Sequence, residues 1–129
     1  MTLLYEELTS KILEACFEVS NELGAGFLES VYEKALLIAL HQKGLRARSQ
    51  VPIAVTFRNE NVGDFFADIL VEDKIIVELK AVTTLAPQHK AQVINYLKAT
   101  GLEVGLLVNF GPPKIEFHRL RKPTPEQSQ

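Results

Sequence analysis

The chain has 129 residues, a length typical of one compact domain. Hydrophobic residues make up 47% of it and charged residues 23%, so the chain can bury a core, and a disordered polymer is excluded. The formal net charge of −2 excludes a global positive field, so any contact with a polyanion must come from local patches.

The first part of the chain predicts two helices followed by a strand. Apolar residues recur at steps of three and four over residues 4–23, which is the spacing of an amphipathic helix ended by Gly24. A second helix is predicted over residues 27–40. Residues 51–57 have the alternating pattern of a strand and are rich in β-branched side chains, so a strand is predicted there. Pro52 favours a sheet edge or a strand start.

Residues 64–80, DFFADILVEDKIIVELK, predict two adjacent strands. A turn at residues 59–61 would precede them, and a short turn at residues 72–74 would separate them. A third helix is predicted over residues 88–100, ended by Gly101.

Two more strands are predicted at residues 104–110 and 114–120, on either side of a Gly-Pro-Pro break. The order α-α-β-β-β-α-β-β predicts an α/β (α+β mixed) fold, with a mixed sheet flanked by helices. We expect a single domain over residues 1–121 and a flexible C-terminal tail over residues 122–129.

Three ionisable residues interrupt the apolar strands of residues 64–80. Successive side chains of a strand point to opposite faces, so Glu78 and Lys80 share one face. A turn would bring Asp68 back beside Glu78. Desolvation can exceed the Coulomb attraction of a buried ion pair, which favours a functional role over a structural salt bridge. Two carboxylates suit a hard cation such as Mg²⁺, and a lysine suits an attacking water or a phosphate, so the group outlines a phosphodiester-cleaving site.

Two predicted helices each carry three polar residues on one face, Glu29, Tyr32 and Glu33 in the second helix and His89, Gln92 and Tyr96 in the third. Glu29 either complements the helix dipole or adds an acidic residue to a metal site. The face of the third helix is, by itself, more typical of a solvated surface, and His89 of a surface histidine.

A basic cluster is formed by Lys43, Arg46 and Arg48, and a second one lies within residues 114–122. Such clusters are usually solvated, and they are also natural contacts for a phosphate backbone.

Cys16 is the single cysteine, so no intrachain disulfide can form and a reducing, cytoplasmic setting is expected. Its place on the apolar stripe of the first helix predicts a packed thiol. We expect no signal peptide, no membrane span and no membrane partner.

The acidic and basic residues of the strands resemble those of a nuclease superfamily. Asp68, followed by Glu78-Leu79-Lys80, resembles the PD-(D/E)xK motif of enzymes with a restriction-endonuclease-like core. Ala67 stands where the named motif has a proline, which shapes the backbone and does no chemistry.

Two helical motifs narrow the resemblance. Gly26-x-x-Glu29-x-x-Tyr32 is similar to the signature of GxxExxY proteins, a bacterial and archaeal group within that superfamily. Gln92-x-x-x-Tyr96 resembles an element of the RecB-like exonuclease branch. The resemblance covers nearly the whole chain, to about residue 120.

The resemblance implies these catalytic residues: Asp68, Glu78, Lys80, Glu29, Gln92 and Tyr96. It implies that Mg²⁺ or Mn²⁺ is bound by Asp68, Glu78, Glu29 and the backbone carbonyl of Leu79. Lys80 would position or activate the attacking water. Contacts with nucleic acid are expected from Tyr32, His89, Lys43, Arg46 and Arg48.

The leading hypothesis is a divalent-metal-dependent nuclease that hydrolyses nucleic acid, with DNA expected rather than RNA. The alternative is a non-catalytic module that binds nucleic acid or a protein on the same fold, which the small size and negative charge favour. A small metal-binding or stress-related accessory protein is a third hypothesis. A homodimer is a further expectation, with Phe65 or Leu85 as interface residues.

Overall fold

The computed structural model describes residues 3–125, and that part of the chain contains three helices and five strands in the predicted order. The elements are α1 (Glu6–Leu23), α2 (Glu29–Gln42), β1 (Ala47–Phe57), β2 (Glu60–Val71), β3 (Ile75–Lys80), α3 (Pro87–Thr100), β4 (Val104–Asn109) and β5 (Glu116–Arg121).

The hairpin of β1 and β2 is longer than predicted. Its loop consists of Arg58 and Asn59, with φ of 51° and 67°. Two-residue loops with positive φ match the twist of the flanking strands, so pairing continues up to Phe57 and Glu60. The turn predicted at residues 59–61 is therefore centred on the C-terminal side of the observed loop.

The five strands form one sheet in the order β1-β2-β3-β4-β5. β3 and β4 are parallel and the other neighbouring pairs are antiparallel, which confirms the predicted mixed sheet. β1 lies at an edge, as Pro52 indicated, because proline lacks the N–H that a central strand needs. The parallel pair requires a crossover connection, and α3 supplies it.

Helices cover both faces of the sheet. α1 and α2 pack on one face, in a core that includes Ile12, Leu36 and Leu79. α3 packs on the other face, where its Leu97 and Ile76 of β3 belong to a second core. β3 lies at the centre, so all its residues from Ile75 to Leu79 are buried. Glu78, which carries the carboxylate of this strand, is therefore buried as well.

The Cys16 thiol lies in the core between α1, α2 and the sheet, and it is fully buried. Burial raises its pKa to about 12. The packed thiol predicted from the sequence is therefore what the structure contains.

The chain ends lie partly beyond the described range. Residues 1, 2 and 126–129 are outside it, so the domain bounds of 1–121 and the tail of 122–129 stay predictions. Within the tail, the N–H of Lys122 donates to the Glu103 carbonyl at 2.9 Å. No helix among residues 3–125 is long and apolar enough to cross a membrane.

Candidate active site

The strands β2 and β3 separate at two carboxylates. Their backbone pairing ends at Ile69 and Val77, and Asp68 and Glu78 are next in the same register. Beyond this point, hydrogen bonds from side chains replace the backbone hydrogen bonds between the two strands. Glu78 Oε1 accepts a hydrogen bond from the Asp68 N–H, and Asp68 Oδ2 accepts one from the Leu79 N–H, both at 2.8 Å. Each carboxylate thus holds the backbone of the opposite strand, and the structure brings the two acidic residues together as expected.

Glu78 is the buried member of the pair, with only 3% of its surface exposed. The pKa of Glu78 is raised to about 8, first by burial and then by the negative charge of Asp68, while the backbone hydrogen bond to Asp68 and the positive charge of Lys80 act in the opposite direction. The site therefore holds more negative charge than its own residues neutralise, and a bound cation would relieve this.

Lys80 ends β3, and a buried asparagine holds the chain around it. The Lys80 carbonyl accepts a hydrogen bond from the Phe110 N–H at 2.8 Å. The fully buried Asn109 accepts from the N–H groups of Val82 and Gly111, both at 3.0 Å, and donates to the Val82 carbonyl at 2.9 Å. The backbone on both sides of the lysine is thereby fixed. Sequence reasoning gave Asn109 no role, although a polar residue at the end of an apolar strand was a usable signal.

The start of α2 explains the Gly26-x-x-Glu29-x-x-Tyr32 spacing. Gly26 has φ of 107°, a conformation that suits glycine. The Tyr32 hydroxyl donates to the Gly24 carbonyl at 2.6 Å and accepts from the Phe27 N–H at 3.2 Å, which ties the loop to the helix. Glu29 is the first residue of α2, where the dipole favours a carboxylate.

Tyr32 itself is fully buried, and its ring stacks on Phe110 with centroids 4.7 Å apart. This corrects the expectation that Tyr32 contacts nucleic acid, because a ring without exposed surface cannot reach a ligand. Its role in the structure is to hold the loop before Glu29.

Two glutamates of α2 lie near the strand carboxylates. Burial raises the pKa of Glu29, Asp68 raises it further, and Lys80 lowers it. Burial also raises the pKa of Glu33, which is close enough to interact with Asp68. Gln50 of β1 donates to both Glu33 oxygens, at 3.0 and 3.2 Å, from a backbone with φ of 52°.

The helical spacing places Glu33 on the face of Glu29 but predicts no role for it, and no pattern in the sequence points to Gln50. A left-handed residue inside a strand leaves no periodic signal, so the contact of Gln50 with α2 could be seen only in the tertiary structure.

Helix α3 brings Gln92 and Tyr96 to the same region. Gln92 Nε2 donates to the Tyr96 hydroxyl at 3.0 Å. The tyrosine is mostly buried, which raises its pKa, and the charge of Glu78 raises it further. His89 has a local role, because its Nδ1 accepts a hydrogen bond from the Ala86 N–H at 3.0 Å at the start of α3.

The basic cluster lies away from these carboxylates and is paired with acidic residues. Lys43 follows the C-terminal end of α2, opposite Glu29, and its ammonium contacts two glutamates of α1 at 2.8 and 3.1 Å. These contacts raise the Lys43 pKa. Arg46 and Arg48 pair with the acidic turn between β2 and β3. Their expected contacts with nucleic acid stay predictions.

The carboxylate oxygens of the site suit a hard cation, although the protein alone does not supply all the ligands of a metal ion. Among residues 3–125, no group of three His, Cys, Asp or Glu side chains is arranged to hold a metal ion. Mg²⁺ typically uses one or two carboxylates and completes its shell with water and substrate phosphate. Asp68 and Glu78 meet that requirement, and their remaining oxygens are the available donors.

Comparisons with known proteins agree with this geometry. The family profile of the PD-(D/E)XK nuclease superfamily matches residues 6–120. Among curated proteins, none matches the chain.

Two solved structures share the fold. The crystal structure of SSO0001 aligns with a TM-score of 0.57 and 21% identity, over 96% of this chain and 62% of that one. An alkaline exonuclease (LHK-Exo) from Laribacter hongkongensis aligns with a TM-score of 0.54 and 14% identity, over 95% of this chain and 73% of that one. The present chain thus spans less than two thirds of SSO0001.

The superfamily profile matches every element from α1 to β5 apart from the last residue of β5, and the mixed sheet flanked by helices is consistent with the restriction-endonuclease-like fold. The chain belongs to the PD-(D/E)XK nuclease superfamily.

Proposed function

We propose that this protein hydrolyses phosphodiester bonds of nucleic acid with Mg²⁺ or Mn²⁺, at a site built on Asp68, Glu78 and Lys80. The observation that carries the proposal is the reciprocal pair of hydrogen bonds between β2 and β3, which holds two carboxylates together where the strands separate. A carboxylate pair with one buried member disfavours folding unless its charge is compensated, so a purely structural role gives no account of it.

Asp68 and Glu78 would hold the cation. The Leu79 N–H faces Asp68, and in a strand the N–H and C=O of one residue point to the same side, so the Leu79 carbonyl would be a third donor to the cation. Glu29, at the start of α2, would add an outer acidic contact, consistent with its raised pKa near Asp68. A bound divalent cation would act as a Lewis acid on the phosphate and ease deprotonation of the attacking water.

The other residues would position the reacting groups. Lys80 shares the strand face of Glu78, so its ammonium can orient a water and neutralise charge that develops on the phosphate. Gln92 and Tyr96, joined by their own hydrogen bond, provide donors at the neighbouring edge of the site. Removing one such electrostatic group typically costs about 3 kcal/mol of transition-state stabilisation.

We also propose the finer assignments. The loop contacts of Tyr32 and the position of Glu29 support membership of the GxxExxY group. DNA is the proposed substrate rather than RNA, and the cytoplasm the proposed location. The homodimer stays a prediction: of its two candidate interface residues, Phe65 is exposed and Leu85 is half-buried.

The test is a cleavage assay with labelled single-stranded DNA, duplex DNA and RNA, each with Mg²⁺, Mn²⁺ or EDTA. Asp68→Ala removes a negative charge from the site, and Lys80→Ala removes its positive charge. Asp64→Ala, at an exposed position of β2, is the matched control. Metal-dependent cleavage that survives in the control and is lost in both site variants is the expected result.

If the folded wild-type protein cleaves none of these substrates with either metal, the nuclease proposal is wrong. The alternative is then the non-catalytic binding module. One observation favours the protein-binding form of that module: the cations of the basic cluster are already paired with carboxylates, so little positive charge remains there to hold a nucleic-acid backbone.

A further inference from the structure

A groove runs beside the candidate active site, between α3 and the β1–β2 hairpin. Its volume is about 670 Å³, which lies within the usual range for ligand sites. Tyr96 lines it together with its hydrogen-bond partner Gln92, and Tyr96 is close enough to Glu78 and Asp68 for their charges to act on it. A ligand in the groove would therefore continue into the site.

One wall of the groove is aromatic. Phe65 of β2 lines it and is 44% exposed, so the ring presents a free apolar face. The ring lies at 47° to that of Tyr96, with centroids 5.9 Å apart. The ring also lies against Gly63, where an added Cβ would come within 2.9 Å of it. These two contacts hold the ring in place before any ligand binds.

The opposite wall carries amides. Gln88, Gln92 and Asn95 recur at steps of four and three along α3, so they lie on one face of the helix and all line the groove. Each amide offers both donors and an acceptor, which is the complement of the polar edges of nucleobases. An aromatic face opposite a row of amides suits a flat ring with polar edges.

The charge of the groove suits a polyanion even though the whole chain is negative. Across the described residues, its lining contains one cation, Lys98, and no carboxylate. Lys98 lies at the C-terminal end of α3, away from Gln88, so a phosphate could be neutralised there while bases occupy the middle. The basic cluster near Arg46 lacks this property because its cations are paired.

From these observations we infer that the groove binds unpaired nucleobases of a single-stranded nucleic acid, with one base stacked on Phe65, and leads that strand to Asp68 and Glu78. The inference rests on the proposed function and names its substrate as a single strand or an unpaired end. A duplex is disfavoured because its base faces are already stacked on one another and are closed to Phe65.

The inference can be tested by fluorescence anisotropy in EDTA, where cleavage cannot occur. The probes are labelled oligonucleotides of about 12 nucleotides, matched to the typical length bound by single-strand sites: oligo-dT, oligo-rU, a duplex and an abasic strand of equal charge. The variants are Phe65→Ala and Phe65→Leu. Phe117→Ala is the control, because Phe117 is similarly exposed at 40% but packs against Phe17 on the other face of the sheet.

We expect the wild type to bind a single strand more tightly than the duplex or the abasic strand. Both Phe65 variants should weaken single-strand binding about 10-fold or more, the typical effect of losing one stacking contact, and the control should not. Phe65→Leu keeps the apolar bulk, so a loss in both variants identifies stacking rather than misfolding. The abasic strand should bind the wild type and Phe65→Ala equally.

Unchanged affinity in both Phe65 variants, or equal affinity for the duplex and the single strand, would overturn the inference. The inference would also be overturned if Phe65→Ala altered the sedimentation of the protein but not its affinity for the oligonucleotides. That result would identify the groove as a contact between two copies or with another protein. The cleavage assay separates this inference from the proposed function. Binding that depends on Phe65 without any cleavage would support the groove inference and refute the proposed nuclease function. Cleavage that is unaffected by the Phe65 variants would support the nuclease function and refute the groove inference.

Discussion

Metal-free protein should become less stable as the pH rises from about 5 to about 8, because Glu78 must ionise inside the fold. Its pKa is about 8 in the folded protein against 4.5 for an unperturbed glutamate. Between these values the folded state binds a proton that the unfolded state has released. The free energy of unfolding therefore falls as the pH rises through this window, and it levels off above the folded pKa.

The magnitude follows from the same linkage. One ionising group changes the free energy of unfolding by at most about 1.4 kcal/mol per pH unit. Over the roughly three pH units of the window this limit corresponds to a loss of about 4 kcal/mol, and we expect a loss of that order. Mg²⁺ at about 100 times its dissociation constant should restore more than half of it, roughly 2.7 kcal/mol.

The assay is urea unfolding followed by circular dichroism, at several pH values, with EDTA or with Mg²⁺. Glu78→Gln keeps the shape of the side chain and removes the ionisation, so it should flatten most of the pH dependence and abolish the effect of Mg²⁺. A smaller slope should persist, because the pKa values of Glu29 and Glu33 are also raised. Glu60→Gln, at an exposed glutamate of β2, is the control.

Two results would refute this reasoning. If metal-free wild type and Glu78→Gln had parallel stability curves from about pH 5 to about pH 8, Glu78 would not be a buried titrating group. If Mg²⁺ stabilised Glu78→Gln as much as the wild type, the cation would bind elsewhere.

Three further predictions concern the framework of the site. Asn109→Ala should cost about 3 kcal/mol in urea unfolding, because it empties a buried position and leaves the half-buried Val82 and Gly111 N–H groups without their partner. Gly111→Ala should destabilise by about 2 kcal/mol or more in the same assay, since an added Cβ would overlap the Val82 backbone, with the nitrogen 2.8 Å away. Cys16 should resist alkylation in the folded protein at neutral pH and react only on unfolding, because burial raises its pKa to about 12.

Each of these has a clear contrary outcome. Wild-type stability of Asn109→Ala would mean that water replaces the amide, and wild-type stability of Gly111→Ala would mean that the loop after β4 adapts. Asn61→Ala, in an exposed part of β2, controls for the loss of an asparagine outside the core. Rapid alkylation of Cys16 in urea-free buffer would show that α1 opens readily.

The sequence alone was sufficient for all eight elements and for the mixed sheet, because the spacing of apolar residues is a local property. The register of Asp68 and Glu78 followed from the same pattern, since the short turn between β2 and β3 leaves little choice of pairing. The Pro52 edge position and the packed Cys16 were also readable from single residues and their neighbours.

The tertiary structure decided what each polar side chain does. Tyr32 shares a helical face with Glu29, and only the packing of the loop before α2 buries it instead of exposing it. Gln50 reaches Glu33 because one residue of β1 leaves the extended conformation, which no pattern in the sequence records. Distant segments set the burial and the partners of a polar group, and those two properties determine whether it packs, pairs or meets a ligand.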